Sequence, residues 1–366
     1  MLSTDRLTAP VWRTLSSIQF DPRNRIAIAL SGGGDSTALL CLAYAYFDAR
    51  GEAGRLVAVT VDHGLRDASA AEARLAGDVC AKLGISHEIK EWRGEKPATG
   101  LQAAARDARY RLLAEAAAAH DCSIILTGHT LDDQAETVAM RGRRGAGRGL
   151  SGIAPATLYE RRTWFVRPLI GRRRSELRDW LSGMGQTWID DPSNCDTRFE
   201  RVRVRGEDAM PADAEAFRAA FEARRAEARK AALMLSDDKL WRFQSDARTA
   251  ELQCDFAPIA DGFMLALSVV LSWVGHGAYL PPVTVVEKVA TFCQEAAPGK
   301  RMTAAGCLLS KAGGRVRIGR EQRNRRSGGY GYDHLLPSPD FDVAQALAAC
   351  AGEPGFPSPP IFGYLD

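Results

Sequence analysis

Between residues 25 and 190 the chain alternates two hydrophobic rhythms. Short apolar runs at 25–30, 56–61, 87–92, 123–127 and 164–166 read as strands. Longer stretches near 35–48, 69–83, 101–119, 131–141 and 173–183 repeat apolar residues at helical spacing. Strands that alternate with helices predict an α/β fold, a doubly wound parallel sheet with helices on both faces. The rhythm breaks after Arg205. Residues 206–235 carry an acidic, proline-containing entry and then one amphipathic helix of roughly twenty residues. Beyond it, MLALSVVLSWV reads as a buried helix, and Ala312-Gly313-Gly314 as the turn of a β-hairpin. The expected organisation is a catalytic domain over 1–205, a helical linker over 206–235 and a small α+β domain over 236–366.

Composition sharpens this picture in two places. The chain of 366 residues is 46% hydrophobic and 25% charged, which predicts packed domains and not a disordered chain. It has no run of eighteen apolar residues to span a membrane and no signal-like N-terminus, and its eight cysteines follow no CxxC or metal-ligand spacing. A reducing cytoplasm is therefore the expected compartment. The net charge of +3 conceals an uneven distribution. Residues 141–205 hold fifteen arginines, no lysine and seven carboxylates, a local net of +8 that leaves −5 for the remainder. Arginine without lysine favours a polyanionic partner, because the guanidinium fork pairs with phosphate bidentately.

The first strand runs into Ser31-Gly32-Gly33-Gly34-Asp35-Ser36. Glycines there would adopt positive φ and bring backbone N–H groups close to an anion, while a helix expected to start at Ser36 or Thr37 adds its dipole. Asp35 is repelled by phosphate unless a cation intervenes, so it implies Mg²⁺. No lysine follows the glycines as a P-loop needs, and the third glycine of GxGxxG is absent.

This hexapeptide resembles the pyrophosphate loop SGGxDS of the N-type ATP pyrophosphatases. In order and spacing, VDHGLRDASAAEA (61–73), LQAAARDARYRLL (101–113), TGHTLDDQAETVAMRGRRGAGRGLSGI (127–153) and residues 166–205 further resemble the lysidine synthetases of that family. The resemblance covers about residues 24–205. It implies that ATP adenylates O2 of the wobble cytidine in an isoleucine tRNA with anticodon CAU, and that free L-lysine then displaces AMP. It further implies ATP contacts from Ser31, Gly32, Gly33, Gly34, Asp35, Ser36, Val61 and His63, and a lysine site of Asp35, Asp133 and Glu136. Arg109 and His129 are implied in the activation step, and dimers are common in the family. On a helix, His129, Asp133 and Glu136 would project from one face at i, i+4 and i+7. The arginines expected on tRNA phosphates are Arg141, Arg143, Arg144, Arg148, Arg172, Arg173, Arg174, Arg201, Arg203 and Arg205. Departures from the family are Gly142, Arg143 and Arg144, where apolar residues are usual and the helix is expected to end early, and Val202 in place of asparagine. A tRNA 2-thiolation enzyme, the nearest rival, would need paired cysteines.

Overall fold

The strand-like runs assemble into one sheet in the computed structural model, which describes residues 5–65, 69–143, 152–160, 162–190, 203–204, 213–244, 249–254, 262–275, 277, 280–321, 341–350, 352, 357–361, 363 and 365. Contacts divide the chain into two units, 1–159 with 163–220 and 360–366, and 160–162 with 221–359.

In the first unit the strands are β1 (Arg25–Ala29), β2 (Leu56–Asp62), β3 (Ser86–Glu91), β4 (Cys122–Leu126), β5 (Ala156–Tyr159) and β6 (Thr163–Val166). Their order is β3-β2-β1-β4-β6-β5. All neighbours run parallel except β5, which pairs antiparallel with β6 at the edge. The expected parallel sheet is therefore present. The added edge strand was not legible, because ATLY is too short to show a period. Helices α1 (Asp5–Ser16), α2 (Gly34–Asp48), α3 (Ser69–Leu83), α4 (Leu101–Ala119), α5 (Leu131–Gly142) and α6 (Arg174–Gly183) complete the unit. β1, β2 and β4 are almost wholly buried, as strands with both faces covered must be. α2 is apolar nearly all round and packs on α1, α6 and β1, so it lies inside the unit.

The topology creates the site. β1 leads outward to β2 and β3, and the chain then returns so that β4 lies on the other side of β1. Loops leaving the carboxyl ends of β1 and β4 therefore diverge, and such a switch point is where open α/β sheets bind ligands.

The second unit is built on an antiparallel sheet. α7 (Ala214–Leu235) enters it, followed by β7 (Trp241–Phe243), β8 (Thr249–Gln253), α8 (Phe263–Gly275), α9 (Val283–Glu295), β9 (Arg301–Ala304), β10 (Cys307–Ala312), β11 (Arg315–Arg320) and α10 (Phe341–Cys350). Sheet order is β7-β8-β11-β10-β9, with the expected hairpin turning at Gly313-Gly314. Buried Lys311 donates from Nζ to the carbonyls of Cys293 (2.6 Å) and Gln294 (3.1 Å), capping the C-terminus of α9. None of the described helices is long and apolar enough to cross a membrane.

Candidate active site

The glycine loop closes on itself before it meets any ligand. Ser31 N donates to Ser36 Oγ (3.1 Å), Ser36 Oγ donates to Gly33 O (3.0 Å), and the two serine hydroxyls lie 3.0 Å apart. α2 begins at Gly34 with Gly33 as N-cap, two or three residues earlier than the sequence suggested. Asp35 therefore stands in the first helical turn, where the dipole favours a carboxylate. Positive φ is confined to Gly32 (+81°), whereas Gly33 is extended at −69°. Gly32 has a second reason to lack a side chain. Its carbonyl accepts from Ile189 N (2.9 Å), and a Cβ there would lie 2.5 Å from Ile189 Cδ1. Trp188 packs beside Gly34, where a built Cβ would meet it only at an ordinary 3.5 Å. Gly32 thus admits the segment 188–189, a use the sequence did not reveal.

The loop after β4 approaches the same helix start. A Cβ at Gly128 would sit 3.0 Å from the carbonyl group of Asp35 and from Ser36 N. α5 is capped by Thr130 and Asp133. Asp133 Oδ2 accepts from Thr130 N (2.8 Å) and Thr130 Oγ1 (2.9 Å), leaving Oδ1 for the site. Because the helix begins at Leu131, His129 precedes it and shares no helical face with Asp133 and Glu136. The i, i+4, i+7 expectation holds only for the two carboxylates. Gln134 fixes the other flank, donating from Nε2 to Ile153 O (2.9 Å) and accepting from Ile153 N.

Asp35, Asp133 and Glu136 do converge, and the group that gathers them is Arg174. Its Nε donates to Asp35 Oδ2 at 2.9 Å, Nη1 to Glu136 Oε1 at 3.3 Å and Nη2 to Asp133 Oδ1 at 3.5 Å. Its side chain is 17% exposed, so the arginine expected on a tRNA phosphate is spent on carboxylates here. The backbone follows the same logic: Arg174 N donates to Asp132 Oδ2 (2.7 Å), pinning the first residue of α6 to α5. Burial pushes the Asp35 carboxyl up, and the Asp133 charge adds to this, while Arg174 and Arg178 oppose it. Arg174 is held the more firmly protonated, since Asp133, Asp35 and Glu136 outweigh its own burial.

A cationic group occupies another part of the site. Arg167, 2% exposed, donates from Nη1 to Ala154 O (2.7 Å) and Thr157 Oγ1 (2.9 Å), and from Nη2 to Tyr110 Oη (3.4 Å). Arg106 donates to the same Tyr110 oxygen at 3.3 Å. Burial would raise the Tyr110 phenol, yet Arg167, Arg106 and Arg109 overcome it and bring it down to about 8. His129 Nδ1 lies 3.0 Å from Thr127 Oγ1. Burial, with the charges of Arg167, Arg109 and Arg106, holds it neutral well below its usual range against the pull of Asp133. His63 follows half-buried Val61 at the end of β2 and meets Trp92 edge-on at 6.0 Å. It too is lowered, first by burial and then by Arg109.

The remaining arginines diverge. Arg143 caps the end of α5, and Arg141, Arg143, Arg173 and Arg203 are exposed. Arg141 nonetheless donates to Gly152 O (2.8 Å). Arg172 is half-buried, and its carbonyl accepts from Leu131 N (2.8 Å). Arg144, Arg148, Arg201, Arg205 and Val202 lie outside the described residues. Sequence reasoning missed the placement of Arg174, the burial of Arg167 and the parts of Asp132 and Tyr110. The only signal was their place in the matching stretches, since adjacency across 139 residues leaves no local pattern.

The sequence also matches known proteins. A family model described as a PP-loop domain matches residues 7–211. The tRNA(Ile)-lysidine synthase of Mesorhizobium japonicum is 58% identical over 183 residues, 48% of this chain and 40% of that protein. Its counterpart in Rhizobium meliloti is 41% identical over 82% of this chain and 68% of the relative. That of Ruegeria pomeroyi is 38% identical, over 82% and 72%. The match thus spans about two-fifths of the first relative's length and two thirds or more of the other two.

Proposed function

Because the chain belongs to the PP-loop family of tRNA(Ile)-lysidine synthases, we propose that it joins free L-lysine to C2 of the wobble cytidine in the isoleucine tRNA with anticodon CAU. In the first step cytosine O2 attacks the α-phosphorus of ATP and pyrophosphate leaves. In the second the lysine ε-amine bonds to C2, the C2–O2 bond breaks, AMP departs with O2, and the amine sheds a proton. The product shifts codon reading from AUG to AUA. The observation that carries this reading is the convergence of Asp35, Asp133 and Glu136 beside the glycine loop.

Each part of the site has a task in this scheme. The backbone of Gly32, Gly33 and Gly34, with Ser31 and Ser36, would receive the pyrophosphate portion of ATP at the N-terminus of α2. Val61 and His63 would border the nucleoside; His63 Nδ1 is buried without a hydrogen-bond partner and so has a polar atom to offer. The three carboxylates would hold the lysine ammonium. Arg109 would supply fixed positive charge where O2 becomes adenylated. His129, held neutral, would support the same activation step by offering a ring nitrogen as a hydrogen-bond partner.

The donor set also fits Mg²⁺. Asp35 Oδ1 is buried with no hydrogen-bond partner. Among the described residues no three His, Cys, Asp or Glu side chains are placed to share one metal ion, and an ion seated on one carboxylate and nucleotide phosphates needs no such group. Such an ion would neutralise charge between Asp35 and the pyrophosphate oxygens. Exposed Arg141, Arg143, Arg173 and Arg203 would contact tRNA phosphates, which position a substrate without specifying it.

The test supplies labelled lysine, ATP, Mg²⁺ and the CAU isoleucine tRNA and counts label in the RNA. Incorporation that vanishes without ATP and in Asp35→Ala is expected. Pyrophosphate release with another acceptor but no lysine incorporation would overturn the assignment and leave only the ATP chemistry.

A further inference from the structure

The carboxylates assigned above to the substrate ammonium already hold a cation. One guanidinium, that of Arg174, reaches Asp35, Glu136 and Asp133 at 2.9, 3.3 and 3.5 Å. An alkylammonium has three N–H donors, and these are three oxygens on which it would be received. The alternatives at Asp133 are already used, since its Oδ2 accepts from Thr130 N and Thr130 Oγ1 within the cap of α5. The oxygen that remains, Oδ1, is the one Arg174 faces. An incoming ammonium therefore meets Arg174 at Asp133.

The strengths of the contacts favour exchange. At 2.9 Å the Asp35 contact is a normal charge-assisted hydrogen bond, whereas those at 3.3 and 3.5 Å are long. The main chain need not move, because Arg174 N is fixed at 2.7 Å on Asp132 Oδ2 at the start of α6. Only the side chain has to turn, and solvent reaches it, since it retains 17% exposure. Arginine is also the apt residue for such a part. It stays charged in every setting, so it presents a permanent positive charge to the three neighbouring carboxylates until another cation arrives.

We propose that Arg174 is an internal stand-in for the amine substrate: its guanidinium occupies the carboxylate site, and it swings aside to admit the lysine ammonium. Arg174 thereby sets the affinity for lysine by competing with it. The inference rests on the lysine reading of the preceding section.

Equilibrium dialysis of labelled lysine against the full chain tests it. The wild type is compared with Arg174→Met, which keeps the stem without charge, and Arg174→Lys, which keeps a cation. Measurements are made alone and with a non-hydrolysable ATP analogue, Mg²⁺ and tRNA, after circular dichroism has shown each variant folded. Arg174→Met should bind lysine about ten-fold tighter or more without nucleotide, because even one displaced charge-assisted contact is worth that factor. Arg174→Lys should bind as weakly as the wild type. Equal or weaker lysine binding by folded Arg174→Met, while the wild type with nucleotide and tRNA binds lysine, overturns the stand-in alone. Failure of every form to bind lysine overturns the lysine reading and this inference with it. Should Arg174→Met not fold, the ¹⁵Nε–H resonance of Arg174, assigned by its loss in Arg174→Lys, decides the matter in the wild type. Lysine should abolish its slow solvent exchange; an unchanged resonance at saturating lysine overturns the proposal.

Discussion

Replacing Gly128 by alanine tests whether the contact between the two loops sets the geometry of the site. A Cβ there lies 3.0 Å from Asp35 C, Asp35 O and Ser36 N, where ordinary contacts are 3.4–4 Å. All three are backbone atoms of the first turn of α2, so no side chain can yield. Gly128 does not occupy the left-handed region, so alanine suffers no torsional penalty and the effect is steric. The loop after β4 must move from α2 by about half an ångström, at a cost of roughly 1–3 kcal/mol for overpacking. That corresponds to a fall in Tm of about 2–4 °C per kcal/mol in a domain of this size. Asp35 and His129 move apart together, and a displacement of this kind costs about ten-fold in rate, given about a hundred-fold per ångström. Gly54→Ala is the control, since a Cβ there meets nothing within 4 Å. The assay pairs thermal denaturation with tRNA-dependent pyrophosphate release. Wild-type Tm and rate in Gly128→Ala would refute the argument that this contact fixes the site.

Three more outcomes follow from named groups. Asp133→Asn should lose about 1 kcal/mol from the cap of α5 but about two orders of magnitude in lysine incorporation, because it removes a charge-assisted contact; losses of equal free energy in both measurements would count against a lysine site there. His129 is held below its usual 6.5, so in acid the unfolded chain takes up a proton that the fold excludes, and stability falls as pH drops through about 6.5. His63 and His87 act in the same direction, so His129→Gln should flatten the pH dependence of denaturant midpoints only in part, and an unchanged slope would refute its neutrality. Tyrosinate absorbance should show one phenol ionising at about 8 that is missing in Tyr110→Phe; a first ionisation only at the ordinary 10 would show that the arginines do not act on it.

The legible parts of this molecule are those whose cause is local. α3 and α4 start and stop where the helical period does, and the glycine loop follows β1 as expected. Capping by Thr130 and Asp133 also has a local cause in four consecutive residues, yet the spacing reads as carrying His129 onto the helix. What was not legible depends on distant segments. The sequence shows three glycines but not that Ile189 presses on Gly32. It shows Arg172-Arg173-Arg174 as a uniform basic run, yet α6 begins at Arg174 and turns that residue alone onto Asp35, Glu136 and Asp133. Four-residue spacing from His129 to Asp133 resembles a helical turn, but Thr130 caps the helix one residue too late to include His129.

The site is electrostatically uneasy at both of its parts, and this couples what it binds. Buried Arg167 donates to neutral oxygens at Ala154, Thr157, Phe165 and Tyr110, and its burial works against its charge. Asp35 is pushed the opposite way, its burial working against a carboxylate whose Oδ1 has no hydrogen-bond partner. An anion relieves the first problem and worsens the second, and a divalent cation does the reverse. Only a ligand bearing both charges relieves both, since a buried charge is costly until it is paired. ATP and Mg²⁺ should therefore stabilise the protein together by more than the sum of their separate effects. In thermal denaturation at fixed ionic strength, each alone should shift Tm little and the pair substantially. In Asp35→Asn the excess should disappear, because the carboxylate that joins the two is gone. Additive shifts in the wild type, or an excess that survives Asp35→Asn, would show that the two parts of the site are not linked through Asp35.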